Sequence, residues 1–209
     1  MNVTLVQKTP NPIKTIATIA SICYDSNPND PMKLVKHLYK NGHHSVFEHI
    51  FFTFKIEGIS RACSHQLVRH RMCSFTQRSQ RYCSENEYKA VIPLSLDADS
   101  FSEYLYTLTD ISKQYDNLVK NNVPKEDARY VLPNACCTDI YLSCNLRELI
   151  HICNERLCSK AQWEIRKLVQ KMVELVDPEL EFMLVPKCKS GRIICHTPCN
   201  MKGETQNEK

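Results

Sequence analysis

HIFFTFKIEGISRACSHQLVRHR, residues 49–71, decides how this chain is built. Its first eight residues are rich in aromatic and β-branched side chains, which suit a pleated, half-buried surface and predict a strand. Ser60 then stands where a helix N-cap is needed and predicts a helix to about Arg71. Toward the N-terminus, residues 3–6 predict a short strand, and Ile13, Ile16, Ala17 and Ala20 recur at helical spacing. Asp30-Pro31 pairs a cap with proline at the first helical position, ahead of an apolar stripe of Leu34, Val35, Leu38 and Tyr39. Gly42 is placed to close that helix in the left-handed conformation.

Toward the C-terminus, MCSFTQRSQRYCSENE (residues 72–87) is polar and without a clear period, which predicts a loop. Val91-Ile92 suggests a short strand before Pro93; a long helix is expected over residues 99–121, and Pro124 opens another that ends before Pro133. Residues 138–144 predict a strand. Leu146, Leu149, Ile150 and Cys153 then mark one face of a helix over residues 145–157, as Ile165, Leu168, Val169, Met172, Val173 and Val176 do over residues 160–176. Helices dominate, and the strands are neither evenly spaced nor joined by single helices. The expected fold class is therefore α+β, with a small central antiparallel or mixed sheet wrapped by helices. One unit over residues 1–186 and a Cys-rich polar tail over residues 187–209 are expected, without repeats or a low-complexity linker.

Composition narrows the function classes. A chain of 209 residues, 43% apolar and 24% charged, is that of a soluble globular domain with a real core. At the usual frequency of roughly 7%, about 15 glycines would be expected. The four present, Gly42, Gly58, Gly191 and Gly203, stand far apart and exclude both a G-x-G-x-x-G turn and a P-loop. Any nucleotide is therefore bound without a glycine-rich cradle. Twelve Cys fall short of a disulfide scaffold, and with no visible export signal or membrane-length apolar run they point to reduced thiols in the cytoplasm. The formal charge of +4 is mild.

What matters is where the arginines gather. Residues 69–81 hold Arg69, Arg71, Arg78 and Arg81 with His70, Ser74, Thr76 and Ser79, and no acid. His65 and Arg69 are four apart on the preceding helix, which carries the cationic face into the loop. Like charges this concentrated destabilise unless an anion or a distant carboxylate compensates them. Guanidinium groups interleaved with short hydroxyls satisfy phosphate oxygens from several directions. Chemistry alone therefore predicts a phosphate-bearing ligand and leaves a mononucleotide and RNA both open, although Phe75 and Tyr82 are thin aromatic interleaving for a stacking platform.

Arg69-His70-Arg71, seven residues and then Ser79 is similar to the signature of the flavin-dependent thymidylate synthases. GHHSVFEHIFFTF (residues 42–54), HQLVRHR (65–71), VPKEDARYVLP (123–133), NLRELIH (145–151) and RLCSKAQWEIR (156–166) resemble further blocks of that family in the same order. The resemblance implies conversion of dUMP to dTMP with methylenetetrahydrofolate as carbon donor, FAD as the source of hydride and NADPH as its reductant. It implies a homotetramer whose active sites are shared between subunits, and neither membrane nor nucleic acid as partner. Positions matching FAD-binding ones are Ser45, Arg69, His70, Arg71, Gln77, Asn145, Leu146, Arg147 and His151, with His43 a neighbour of the flavin. Positions matching dUMP-binding ones are Gln66, Arg69, Gln77, Arg78, Ser79, Gln80, Arg81, Arg129 and Arg156.

Arg156 matches the family's catalytic position, and on a regular helix it lies about three turns beyond Asn145 on the same face. Ser79 and Arg81 suit the 5′-phosphate as complementary donors. The flavin route needs no covalent protein nucleophile, so Cys73 and Cys83, the thiols beside the arginines, are not expected to attack the substrate. Gln77 stands where some relatives carry Glu, and His65 where some carry Arg. In the tail, Cys188, Cys195, His196 and Cys199 offer soft ligands, but C-x6-C-H-x2-C matches no standard zinc finger, and no metal is expected.

Overall fold

Strand β2 (Phe51–Ser60) organises the molecule. In the computed structural model, which describes residues 1–23, 29–191 and 199, Phe52, Phe54 and Ile56 turn to one face and are buried, while Phe51 on the other is exposed. β2 pairs with β1 (Asn2–Lys8) on one side and β4 (Cys137–Asn145) on the other, and β3 (Ser74–Gln77) closes the outer edge. The order is β1-β2-β4-β3, and every pair is antiparallel. β4 alternates as β2 does: Thr138, Ile140, Leu142 and Cys144 are buried, Asp139 and Tyr141 exposed.

Helices α1 (Pro12–Ser21), α6 (Leu146–Arg156) and α7 (Trp163–Val173) bring Ile16, Leu149, Ile152, Ile165, Leu168 and Val169 into the same apolar core. Each fully buried Leu or Ile there contributes about 1.5–3 kcal/mol. α2 (Pro31–Lys40) packs beside α1, with Asp30 Oδ1 accepting from Lys33 N at 3.0 Å and Gly42 following at φ +79°, as expected of a left-handed closure.

Two junctions without a linking loop place the site. The β2–β4 register shifts between Ile56 and Ile59, where Gly58 has φ +68° and donates its N–H to Asp139 Oδ1 at 2.9 Å. Such a bulge bends a strand and favours glycine. Ser60 then ends β2 and caps α3 (Arg61–Leu67), its Oγ accepting from Cys63 N at 2.9 Å. Asn145 likewise ends β4 and caps α6, its Oδ1 accepting from Glu148 N at 2.9 Å. Ser60 pairs with Cys137 and Asn145 with Phe51, so α3 and α6 leave opposite ends of the β2–β4 pair. Their C-terminal ends converge, with Arg156 Nη2 at 3.4 Å from the Gln66 carbonyl.

Several elements differ from expectation. α3 stops at Leu67, so Arg69 lies beyond the helix and does not extend a helical face from His65. The chain turns there, His70 N donating to Leu67 O at 3.1 Å, and the turn buries His70. Residues 72–87 are not all loop: β3 forms inside them because β4 offers an edge, and Phe75 packs against the core. Val91-Ile92 forms no strand; Ala90 makes an isolated bridge to Cys136. The long helix α4 spans Ala98–Lys120, capped by Asp97. After Pro124 comes a short α5 (Lys125–Ala128) and a 3-10 turn, Arg129–Val131.

Candidate active site

His70 is the centre of the first group of expected site residues. It is 5% exposed, wedged between α3 and α6, with His151 edge-to-face at 5.5 Å. Arg156 Nε donates to His70 Nε2 at 3.0 Å. Burial, then the positive charges of Arg156 and His151, push the His70 pKa down to about 4, so the ring is neutral at ordinary pH. Its Nδ1 faces Glu148 Oε1 at 3.7 Å. Burial raises the Glu148 carboxyl above its usual range, and His151 opposes that shift.

A cavity of about 560 Å³ opens beside this group, lined by His44, Glu48, Met72, Asn145, Arg147, Glu148 and His151 among others. Arg147 reaches over to pair with Glu48, and Ser45 starts the 3-10 turn that carries Glu48. Arg69, Arg71 and His43 are exposed. His44 stacks on Tyr39 at 5.6 Å, a packing role. Leu146 is fully buried, and its N–H donates to Ile50 O at 2.7 Å, so its side chain faces the core and not the cavity. Asn145 Oδ1 is engaged as the α6 cap.

The remaining expected residues disperse. Gln77 Nε2 donates to Ser64 Oγ at 3.0 Å and Thr138 Oγ1 at 3.2 Å. Arg78 turns to Glu85 and to the Ser84 carbonyl, beside a separate hollow of about 900 Å³ on the β2–β4 bulge side. Ser79 Oγ accepts from Arg81 N at 3.2 Å. Arg81 grips Glu126 through Nε and Nη2, each at 2.7 Å. Gln80 and Arg129 line a small hollow of about 290 Å³ with Arg61 and His65. The clustered arginines are thus compensated by carboxylates, one of the outcomes their charge required: Arg78 has Glu85 and Arg81 has Glu126. Glu85 lies just past the acid-free stretch, seven residues from Arg78, whereas Glu126 is 45 residues from Arg81 and is brought there by folding.

Glu148 was missed as well. The signal for it was the three-residue spacing of Glu148 and His151, which puts both on one helix face. Among the thiols, burial raises Cys136 to about 11 and pushes Cys63 and Cys153 well above the usual thiol range; Cys144 is raised first by its hydrogen bond with Cys73. Such thiols stay protonated and make poor nucleophiles. Cys195 and His196 of the tail lie outside the described residues.

The family model described as thymidylate synthase complementing protein matches residues 4–180. A flavin-dependent thymidylate synthase of Geobacter sulfurreducens is 40% identical, over 98% of this chain and 93% of its own length. One from Clostridium tetani is 36% identical over 91% and 89%, and one from Pyrococcus furiosus 42% over 83% and 78%. The crystal structure of thymidylate synthase X from Helicobacter pylori with FAD and dUMP superposes with TM-score 0.77 at 21% identity, covering 90% of this chain and 99% of that one. The α+β fold with its antiparallel sheet is therefore shared with it.

Proposed function

This chain belongs to the flavin-dependent thymidylate synthase family, and from that premise we propose that Arg156, held against His70 at the C-terminal end of α6, is its catalytic guanidinium. The enzyme is FAD-dependent and makes dTMP from dUMP. The observation that carries the site reading is the convergence of two motif blocks far apart in sequence: Arg156 Nε lies 3.0 Å from His70 Nε2.

The residues fit a flavin nucleotide. The α6 cavity offers a guanidinium, Arg147, an imidazole, His151, and the apolar side chains of Met72 and Ile150, with Arg69 and Arg71 exposed on the neighbouring turn. Such donors serve phosphates without a glycine-rich loop. Ser45, Asn145, Arg147 and His151 would hold it with the Arg69–His70–Arg71 turn, Leu146 acting through its backbone position at the helix start. When bound and reduced by NADPH, FAD supplies the hydride.

The protein's own part is to bind and polarise dUMP. Arg156 presents fixed positive charge to the uracil edge, favouring loss of the N3 proton and stabilising the resulting anion. The added electron density reaches C5, the carbon that attacks the methylene of methylenetetrahydrofolate. Ser79 and Arg81 take the 5′-phosphate, Arg81 exchanging Glu126 for it, while Gln66, Gln77, Arg78, Gln80 and Arg129 complete the pocket.

Residues of the two ligand sets lie on separate surfaces of one chain: Arg129 and Gln80 line one hollow, Arg147 and His151 another. That separation supports a homotetramer whose sites draw on more than one subunit. Among the described residues no helix is long and apolar enough to cross a membrane, consistent with a cytoplasmic enzyme. Purified protein should carry a flavin spectrum and release tritium from [5-³H]dUMP only with the folate and NADPH. A protein that cannot be reconstituted with FAD would sink the reading.

A further inference from the structure

We propose that Glu148 is a positioning residue for Arg156, acting through His70; the proposal rests on the reading of Arg156 as the catalytic guanidinium. A guanidinium has donors only, so the 3.0 Å contact from Arg156 Nε requires a lone pair on His70 Nε2. A neutral imidazole has one N–H, which must then sit on Nδ1. That nitrogen faces Glu148 Oε1 at 3.7 Å. His70 is 5% and Glu148 8% exposed, so water competes little for either group. The carboxylate attracts the Nδ1 proton and would repel a lone pair there. It therefore selects the tautomer and the ring orientation that give Arg156 an acceptor.

The consequence is geometric. Nε is held by His70 and Nη2 by the Gln66 carbonyl at 3.4 Å. Nη1 makes no hydrogen bond among the described residues and is the edge left for a ligand. Without Glu148, the His70 ring is free to flip or to carry its proton on Nε2, which would face Arg156 donor to donor.

The same atoms exclude a competing reading. The ligand atoms of His70, Glu148 and His151 lie within 4.8 Å of one another, close enough to hold a cation. Ligation through Nδ1 needs its lone pair, but that position carries the proton for as long as Arg156 donates to Nε2. A cation would also sit beside the guanidinium charge. The cluster is a polar chain aimed at Arg156.

The test uses holoenzyme with Glu148→Ala, Glu148→Gln, Arg156→Ala and the double variant Glu148→Ala/Arg156→Ala. Readouts are flavin content, and kcat and KM for dUMP by tritium release. Glu148→Ala should lower kcat about 10–100-fold, the range for removing a partner that orients a working ligand, with flavin content and KM nearly unchanged. Glu148→Gln keeps an acceptor oxygen and should restore most of kcat. In the Arg156→Ala background, Glu148→Ala should cost little more, since the group it positions is gone. Normal kcat in Glu148→Ala, full additivity in the double variant, or loss of flavin in step with activity would each overturn the proposal. Near-normal turnover by Arg156→Ala would instead remove the reading beneath it. Should the alanine variant fail to fold, ¹⁵N shifts of His70 in the wild type decide: the Nδ1–H tautomer is expected, and Nε2–H overturns the chain.

Discussion

Two arginine-bearing regions of this molecule are built in opposite ways. Around α6, Arg156 is part-buried and ordered by the buried His70, which stands between it and the buried Glu148, and by the backbone carbonyl of Gln66. In the segment after β3, Arg81 is 52% exposed and held by Glu126, itself 47% exposed. The first arrangement is fixed before any ligand arrives. The second is an ion pair in water that a phosphate can displace at small cost. The contrast separates charge that must be aimed from charge that need only be available: a group that stabilises a developing anion works through preorganisation, whereas one that captures a phosphate works through exchange.

The largest test of that contrast is Arg156→Ala. Flavin binding should survive, while kcat for tritium release falls by about 10²–10³, the effect of losing one preorganised donor; near-normal turnover would move the catalytic role elsewhere. Next is Arg81→Ala, which should raise KM for dUMP about tenfold or more through the lost charge-assisted contact, with kcat much less affected. A fall confined to kcat would reverse the roles of the two regions.

Acid separates them too. The folded-state pKa of His70, about 4, lies below the ordinary value of 6.5, so the unfolded chain takes up this proton first on acidification. The stability tied to neutral His70 is therefore complete above pH 6.5 and is lost progressively as pH falls toward 4. Denaturation midpoints of wild type and His70→Asn across that window should converge on the acid side. Parallel curves would mean that the buried ring does not titrate as described. The smallest effect belongs to Glu126→Ala: it frees Arg81, and should change KM for dUMP by roughly twofold or less, with weakened dependence on salt.

Legibility followed the range of the interaction. Asp30 and Ser60 announced their helix starts, because a cap is a contact between residues two or three apart. The aromatic and β-branched run of residues 49–56 announced a strand, and the structure showed which face of it, Phe52, Phe54 and Ile56, is buried. The end of α3 was not legible: helical composition runs on past Leu67, and what stops the helix is the burial of His70 against residues some 80 positions away. β3 was hidden because four polar-rich residues pair only when β4 offers an edge. The motif residues could be named from the Arg69–His70–Arg71 pattern, yet the distant partners Glu126 and Glu148 could not, since ion pairing follows proximity in space.

By itself, then, the sequence determined the α+β class, the absence of a glycine-rich phosphate cradle and the family to which its arginine motif points. These rest on local periodicity, on glycine count and on ordered blocks, all properties of a string. Only the tertiary structure decided which arginine is held rigid and which is exchangeable. That division depends on burial and on carboxylates brought from distant segments, because the energy of a charge is set by its surroundings in space.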